Sequence, residues 1–135
     1  MKLYDRISKN EGSNFQTNSY FEPTFYTPSS GTIDIKKGDA VVIKGNETAG
    51  HAESAEEVIL GQASQDVKGN NVPFKVKVRG VVTFNYTGSA PERTGEANAI
   101  SSSSEAGKVA KDEFGAGKGV AISVDDTNKT VKVIL

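Results

Sequence analysis

Strict alternation of apolar and polar side chains over residues 72–84 restricts the fold more than any other feature of the sequence. Apolar side chains take one predicted face, at Phe74, Val76, Val78, Val82 and Phe84. The other face carries Lys75, Lys77, Arg79 and Thr83. This period of two predicts a β-strand with one face buried and one in water. Gly80 falls at an inward position, which predicts a bulge, a bend or a close backbone approach such as a barrel corner needs.

Shorter apolar segments predict further strands on both sides of this one. They lie at residues 32–36, 40–43, 58–63 and 107–111, and residues 120–135 form a hairpin that turns at 125–129. Residues 46–57 are small and polar, which predicts a loop or a frayed helical turn. Structural turns are predicted at Gly38, Asp39, Gly80 and Gly119. The sequence therefore predicts an all-β fold, a small antiparallel barrel or sandwich of about seven to nine short strands.

Composition agrees with one small domain and restricts its chemistry. The chain has 135 residues, with 14 glycines against four prolines, as a turn-rich β domain requires. It has no cysteine, which excludes disulfides and thiolate metal sites. The net charge of −1 gives no electrostatic footprint for nucleic acid or an anionic membrane. The charged first ten residues are unlike a signal peptide, so we expect synthesis and folding in a cytoplasm.

Residues 1–30 differ from the rest and are predicted to form an extended N-terminal arm before a β domain at 31–135. Six of the ten Phe and Tyr residues lie there: Tyr4, Phe15, Tyr20, Phe21, Phe25 and Tyr26. The rings show neither helical nor strand periodicity, which argues against an autonomous core. Free tails are usually poor in aromatics, so the rings need a surface. Either the arm packs on another molecule or it folds back on its own domain, and the sequence leaves both open.

Three places in the sequence contain residues that catalytic or metal sites use, and each also has a structural interpretation. The single histidine, His51, lies in a polar loop and is interpreted as a surface residue, although a trimer could gather three copies on its axis. Residues 115–119 resemble a phosphate loop, but the upstream glycine and the hydroxyl position are missing. Residues 125–128 lack the glycine and glutamate of a calcium loop. No catalytic constellation emerges, so we predict a protein without cofactor or metal that is not an enzyme.

The order of these segments resembles a known family. An "I-x-I-x-x-G-D-x-V-V" start at residues 33–42 is followed by "V-I-L-G-Q-A" at 58–63 and "F-x-V-x-V-x-G-V-V-x-F" at 74–84. "G-K-V" at 107–109, "G-V-A" at 119–121 and "V-x-V-x-L" at 131–135 complete it. This pattern is similar to the small β-barrel head-decoration, or capsid cement, proteins of tailed bacteriophages, a family long described as of unknown function. The aromatic arm departs from relatives that begin at the first strand.

The resemblance implies a structural virion protein on the outside of a phage head, made in the host cytoplasm. It implies a homotrimer that binds the major capsid protein and cements neighbouring subunits, with no nucleic acid or membrane as partner. The six arm aromatics are then the expected anchors on the capsid or on a neighbouring copy. A carbohydrate-binding or adhesive head-fibre or spike module is the alternative, although such sites usually present Trp or Tyr platforms and the predicted domain has only Tyr86.

Overall fold

The structure, a computed structural model, describes residues 20–93, 99–115 and 117–135. Over these ranges it consists of strands and loops without a helix, which confirms the predicted all-β class. The twelve strands are β1 Thr24–Tyr26, β2 Asp34–Ile35, β3 Ala40–Gly45, β4 Thr48–Gly50, β5 Gly61–Ala63, β6 Val67–Lys68, β7 Pro73–Lys77, β8 Val81–Thr87, β9 Ile100–Ser102, β10 Val109–Lys111, β11 Val120–Asp125 and β12 Thr130–Ile134. They outnumber the predicted seven to nine because several contain only two or three residues, too few to show a period.

Five strands close into a barrel in the order β1-β4-β3-β5-β7. The short β1 completes it, because it pairs antiparallel with β7 and meets β4 through a parallel pairing of Tyr26 with Thr48. A small ladder of β2 and β6 lies beside the barrel. Closure leaves no free edge among these five strands, which is the usual way in which a small all-β protein satisfies its backbone groups.

The other large element is a five-stranded sheet in the order β11-β12-β8-β10-β9. β12 runs antiparallel to both β8 and β11, and β10 runs parallel to β8. The outer side of β9 is not free, because Ile100 and Lys118 form a bridge with N–O distances of 3.2 and 2.8 Å. Residue 118 leads directly into β11, so this bridge brings the two ends of the sheet together and curls it.

Two hydrophobic cores fill the molecule, and the long alternating segment feeds both. Phe74 and Val76 of β7 lie in the barrel core, whereas Val82 and Phe84 of β8 lie in the sheet core. The predicted bend at Gly80 separates them: its φ is +122°, and the segment is interrupted between Lys77 and Val81. A residue with a side chain rarely adopts this φ, so the glycine allows the chain to pass from one core to the other.

Strand β3 lies between the cores and explains its continuous apolar run. Val41 packs into the barrel core, while Ala40 and Val42 pack into the sheet core. A strand that is buried on both faces loses the alternation of a half-exposed strand. The sequence therefore identified this strand correctly but could not assign its two faces.

Several local predictions need correction. Residues 46–57 contain strand β4. This strand forms because it pairs with neighbouring strands and not because of its own composition. In β11 the apolar residues Val120 and Ile122 are only half-buried, and Ala121 packs in the core. The pairing of β11 with β12 shifts between Ala121 and Ser123, which disturbs the alternation at this point.

The predicted arm boundary at residue 30 does not match the part of the arm that the structure describes. Residues 24–26 form β1, and Thr27 is buried with its hydroxyl between the carbonyl of Gly69, at 2.6 Å, and the N–H of Val72, at 2.9 Å. Residues 20–27 therefore belong to the barrel, as in the fold-back alternative. A three-residue strand is too short to reveal itself by periodicity. Residues 1–19 lie outside the described ranges.

Candidate interaction surfaces

The predicted arm aromatics differ in how much surface they offer. Phe25 packs against the barrel core and Tyr20 is half-buried, with the Lys77 ammonium 4.3 Å from its ring centre. Phe21 is 61% exposed and Tyr26 is about half exposed. These last two rings are therefore available for an external contact, and their binding role stays a prediction. Tyr4 and Phe15 lie outside the described residues.

Of the four predicted turn residues, Gly38 lies in a turn that Asp39 follows, Gly80 lies at a bend, and Gly119 lies in a bridge just before β11. Gly38, Gly80 and Gly119 have φ angles of +96°, +122° and +81°. Asp39 closes its turn through Oδ2, which accepts the N–H of Lys36 at 3.0 Å. At Gly119, an added Cβ would lie 2.3 Å from Val133, so the position also needs the absence of a side chain.

His51 is not the freely solvated residue that its polar loop predicted. Its Nε2 lies 2.7 Å from Oδ2 of Asp39, and its side chain is only 24% exposed. The β3–β4 hairpin brings the two together, and Gly107 makes room, since a Cβ there would lie 2.6 Å from the carboxyl carbon of Asp39. Because Nε2 is engaged by this carboxylate, the pair is a structural clasp between the turn before β3 and the end of β4.

Four consecutive serines occupy residues 101–104, and the first two of them are buried in strand β9. The hydroxyl of Ser101 donates to Glu56 at 3.0 Å, and that of Ser102 donates to the carbonyl of Ser54 at 2.7 Å. The Ser102 hydroxyl also accepts the N–H of Glu57 at 2.8 Å. These contacts fix the loop at residues 53–57 against β9, so the serines have a structural use.

Glu57 ties the same loop to itself. Its Oε2 accepts the N–H groups of Glu53, at 2.8 Å, and Ser54, at 2.9 Å. Burial alone would raise the pKa of Glu57, but these hydrogen bonds, that of the Ser54 hydroxyl and the nearby Lys44 charge hold it below its usual value. The loop is therefore held by an ionised carboxylate at neutral pH.

An apolar groove runs beside this loop and was not predicted. It has a volume of about 530 Å³ and is lined by Val42, Ile43, Glu56, Glu57, Val58, Ile59, Leu60 and Lys118. Ile43 and Val58 are 55% and 60% exposed. Two large aliphatic side chains beside one depression are typical of a contact surface.

Lys118 marks one end of the apolar groove. Its Nζ donates to the carbonyl of Leu60 at 3.1 Å, and within the described ranges no carboxylate forms an ion pair with it. Burial, together with the charge of Arg79, lowers the pKa of Lys118. A half-buried cation with only a carbonyl partner has unused capacity for hydrogen bonding.

A second depression, the polar cleft, lies on the barrel and has a volume of about 560 Å³. Its lining includes residues 28–35 together with Lys44, His51, Glu53 and Asn71. Among the described residues no Phe or Tyr ring lines it, and the His51 imidazole is paired with Asp39. The cleft therefore offers hydrogen bonds without the stacking platform that sugar sites usually have.

The pKa of the Tyr86 hydroxyl offers a way to test the contacts of this side chain in the sheet core. Its hydroxyl donates to Asp126 at 2.5 Å, and this bond, burial and the charges of Asp126 and Asp125 raise the pKa of Tyr86 from 10.0 to about 12. The folded state therefore holds the phenol proton more tightly than the unfolded state. The resulting stabilisation is complete below pH 10 and is lost as the pH rises from 10 towards 12.

We expect the free energy of unfolding to fall more steeply above about pH 10 in the natural protein than in a Tyr86→Phe variant. Urea titrations at several alkaline pH values measure this, and the variant corrects for the lysines that titrate in the same range. Parallel pH profiles for the two proteins would contradict the assignment.

No group of three or more potential metal-ligating side chains, and no helix able to span a membrane, occurs in the part of the chain that the structure describes. No protein-family model matches the chain, and no curated protein matches it by sequence. Its function must therefore be argued from its own residues.

Proposed function

We propose that this chain is a structural protein that binds the outer surface of a bacteriophage capsid and cements neighbouring major capsid subunits. In this proposal it acts as a homotrimer, without cofactor, and is assembled onto the virion from the host cytoplasm. The order of sequence motifs across residues 33–135 first suggested the family, and the closed all-β fold agrees with it.

Phe21 is the observation that best supports a docking role. Phenylalanine rings are usually buried, but that of Phe21 is 61% exposed. The backbone of Phe21 is nevertheless held in place by its bridge to Arg79. Tyr26, the last residue of β1, is also about half exposed. Rigidly held, exposed aromatic rings bind partners at little cost in side-chain entropy, and repetition around a trimer multiplies their effect.

Polar groups that could suggest catalysis already have structural partners. The serines of β9 bind the loop at residues 53–57, and His51 is paired with Asp39. This use of the nucleophile and base candidates supports a binding protein over an enzyme.

A carbohydrate-binding surface module is the second candidate, because the polar cleft presents Asp34, Glu53 and Asn71 around one depression. An Asn71→Ala variant tests it. If the chain binds glycans through this cleft, hits on a glycan array disappear in the variant, whereas capsid binding persists.

The capsid proposal is tested by co-sedimentation with expanded phage heads. We expect Phe21→Ser to weaken binding by about tenfold per site, which corresponds to the loss of one aromatic anchor. Phe114→Ser is the matched control, because Phe114 is even more exposed, at 78%, and lies in the loop after β10. Equal binding by both variants and the natural protein would contradict the role of Phe21.

Sedimentation equilibrium of the free protein tests the trimer separately. A species near three times 14.3 kDa is expected. A protein that is monomeric both free and after release from heads would exclude the trimer.

A further inference from the structure

The apolar groove exists because two strands of the barrel separate beside it. Strand β3 continues to Gly45, whereas its pairing with β5 ends at Val41. Residues 56–60 also line the groove, and they are not part of a strand. Ile43 of β3 and Val58 of this segment are more than half exposed beside it. The groove is therefore set by the barrel backbone and is open to an aliphatic side chain of a partner.

Both carboxylates of the groove are already engaged in holding the neighbouring loop. Glu56 accepts the hydroxyl of Ser101 at 3.0 Å. Glu57 accepts the N–H groups of Glu53 and Ser54 at 2.8 and 2.9 Å. Among the described residues, neither carboxylate forms an ion pair with a lysine or an arginine. These two carboxylates therefore do not neutralise the lysine of the groove.

Lys118 is the charged group of the groove that has unused bonding capacity. An ammonium group has three donors, and Nζ of Lys118 uses one of them on the carbonyl of Leu60 at 3.1 Å. Burial and the charge of Arg79, a second cation, both lower the pKa of Lys118. Neither cation forms an ion pair with a carboxylate in the ranges that the structure describes. A partly buried ammonium without a counter-ion is complemented by a carboxylate that a ligand brings.

The charges along the groove distinguish a peptide from a fatty acid as its occupant. A fatty acid with its carboxylate at Lys118 would direct its methyl end towards the carboxylates of Glu56 and Glu57, which an apolar group cannot satisfy. An extended peptide instead offers a carboxylate, an aliphatic side chain and backbone N–H donors at successive positions. Each of these groups has a complement in the groove.

We infer that the apolar groove binds an acidic, aliphatic peptide segment of a partner protein. An aliphatic side chain of the segment lies between Ile43 and Val58. The carboxylate of a neighbouring Asp or Glu pairs with Lys118, and backbone N–H groups of the segment face Glu56 and Glu57. Capsid binding is not required for this docking, which uses only the groove.

Selection of a displayed random peptide library on the full chain tests this docking. We expect the enriched peptides to share an aliphatic residue close to an Asp or a Glu. The strongest binder is then compared, by fluorescence anisotropy, with its amide counterpart, in which Asn or Gln replaces the acid. The amide peptide should bind the natural protein about tenfold more weakly, because it loses a hydrogen bond between charged groups.

Lys118→Met removes the charge and keeps an unbranched side chain, so it should bind the acidic and the amide peptide equally. Lys75→Gln is the matched control, because Lys75 is an exposed lysine of β7 that does not line the groove. It should keep the tenfold preference. Val58→Ser should weaken the binding of both peptides, whereas Phe114→Ser, at an exposed position outside the groove, should leave it unchanged. Far-UV circular dichroism checks the fold of each variant.

Enriched peptides without an acidic residue, or no enrichment at all, would overturn the inference. A preference for the acidic peptide that persists in Lys118→Met would also overturn it. Displacement of the peptide by a medium-chain fatty acid of equal affinity would overturn it in favour of a lipid site. Phage heads are not involved in any of these measurements, so their failure leaves the proposed function intact.

Discussion

Replacing Gly61 by alanine is expected to lower the free energy of unfolding by about 3 kcal/mol, because the added methyl group has no space. An ideal Cβ at this position would lie 2.2 Å from the carbonyl oxygen of Lys77 and 2.9 Å from its carbonyl carbon. Both atoms are backbone of β7, which pairs with β5 in the closed barrel. The two strands must separate to accept the methyl group, and closure prevents them from doing so freely.

Gly45→Ala is the matched control in the same barrel. Its nearest neighbour would be the Thr48 side chain at 3.7 Å, an ordinary contact, and its φ is not in the left-handed region. We expect its stability to be unchanged or raised by up to about 1 kcal/mol, through the smaller entropy of the unfolded chain. Urea unfolding followed by circular dichroism measures both. Similar midpoints for the two variants would show that the β5–β7 contact is not rigid.

Deletion of residues 2–28 is expected to unfold the barrel, whereas deletion of residues 2–19 is expected to leave it folded. An arm boundary at residue 30 would suggest the longer deletion for a capsid-binding test, but that deletion removes β1. With it go the hydrogen bonds of Tyr26 N to Glu47 O, Thr27 N to Val72 O, Val76 N to Pro23 O and Val78 N to Phe21 O, together with both bonds of the Thr27 hydroxyl. At about 1 kcal/mol each, these bonds are comparable with the ~5–15 kcal/mol stability of a whole domain.

Thermal unfolding by circular dichroism distinguishes the two deletions. The 2–28 deletion should show no cooperative transition, while the 2–19 deletion should melt cooperatively, near the temperature of the full chain. A cooperative transition in the longer deletion would mean that β7 and β4 can close the barrel without β1. Only the shorter deletion is suitable for asking whether the N-terminal segment contributes to capsid binding.

The alternating segment at residues 72–84 shows how far the sequence can predict this fold. Its strands and the bend at Gly80 were predictable, because period two and an inward glycine are local signals. Its division between two cores was not, because β7 and β8 show the same alternation and only their partners differ. Phe74 meets β1 residue Phe25, whereas Phe84 meets Val131 of β12.

The candidate sites depended even more on tertiary pairing. Asp39 and His51 are twelve positions apart and meet only because β3 and β4 form a hairpin, one strand of which had no β-pattern. The apolar groove could not be predicted from its own segment. Val58 and Ile59 are adjacent in an extended chain, so their side chains point to opposite sides. A segment can be buried on both sides, as β3 is, so only the neighbouring elements decide that Val58 faces outward.

In the part of the chain that the structure describes, most backbone N–H and C=O groups at the edges of the sheets are hydrogen-bonded. The barrel strands close on themselves, and the Lys118 backbone covers the outer side of β9 at Ile100. Apart from the two-residue strands β2 and β6, the remaining edge is β11, where the shift between Ala121 and Ser123 disturbs the flat edge that strand addition needs. We therefore expect copies packed side by side at high local concentration to meet through side chains, and a dense layer of them not to grow into a shared sheet.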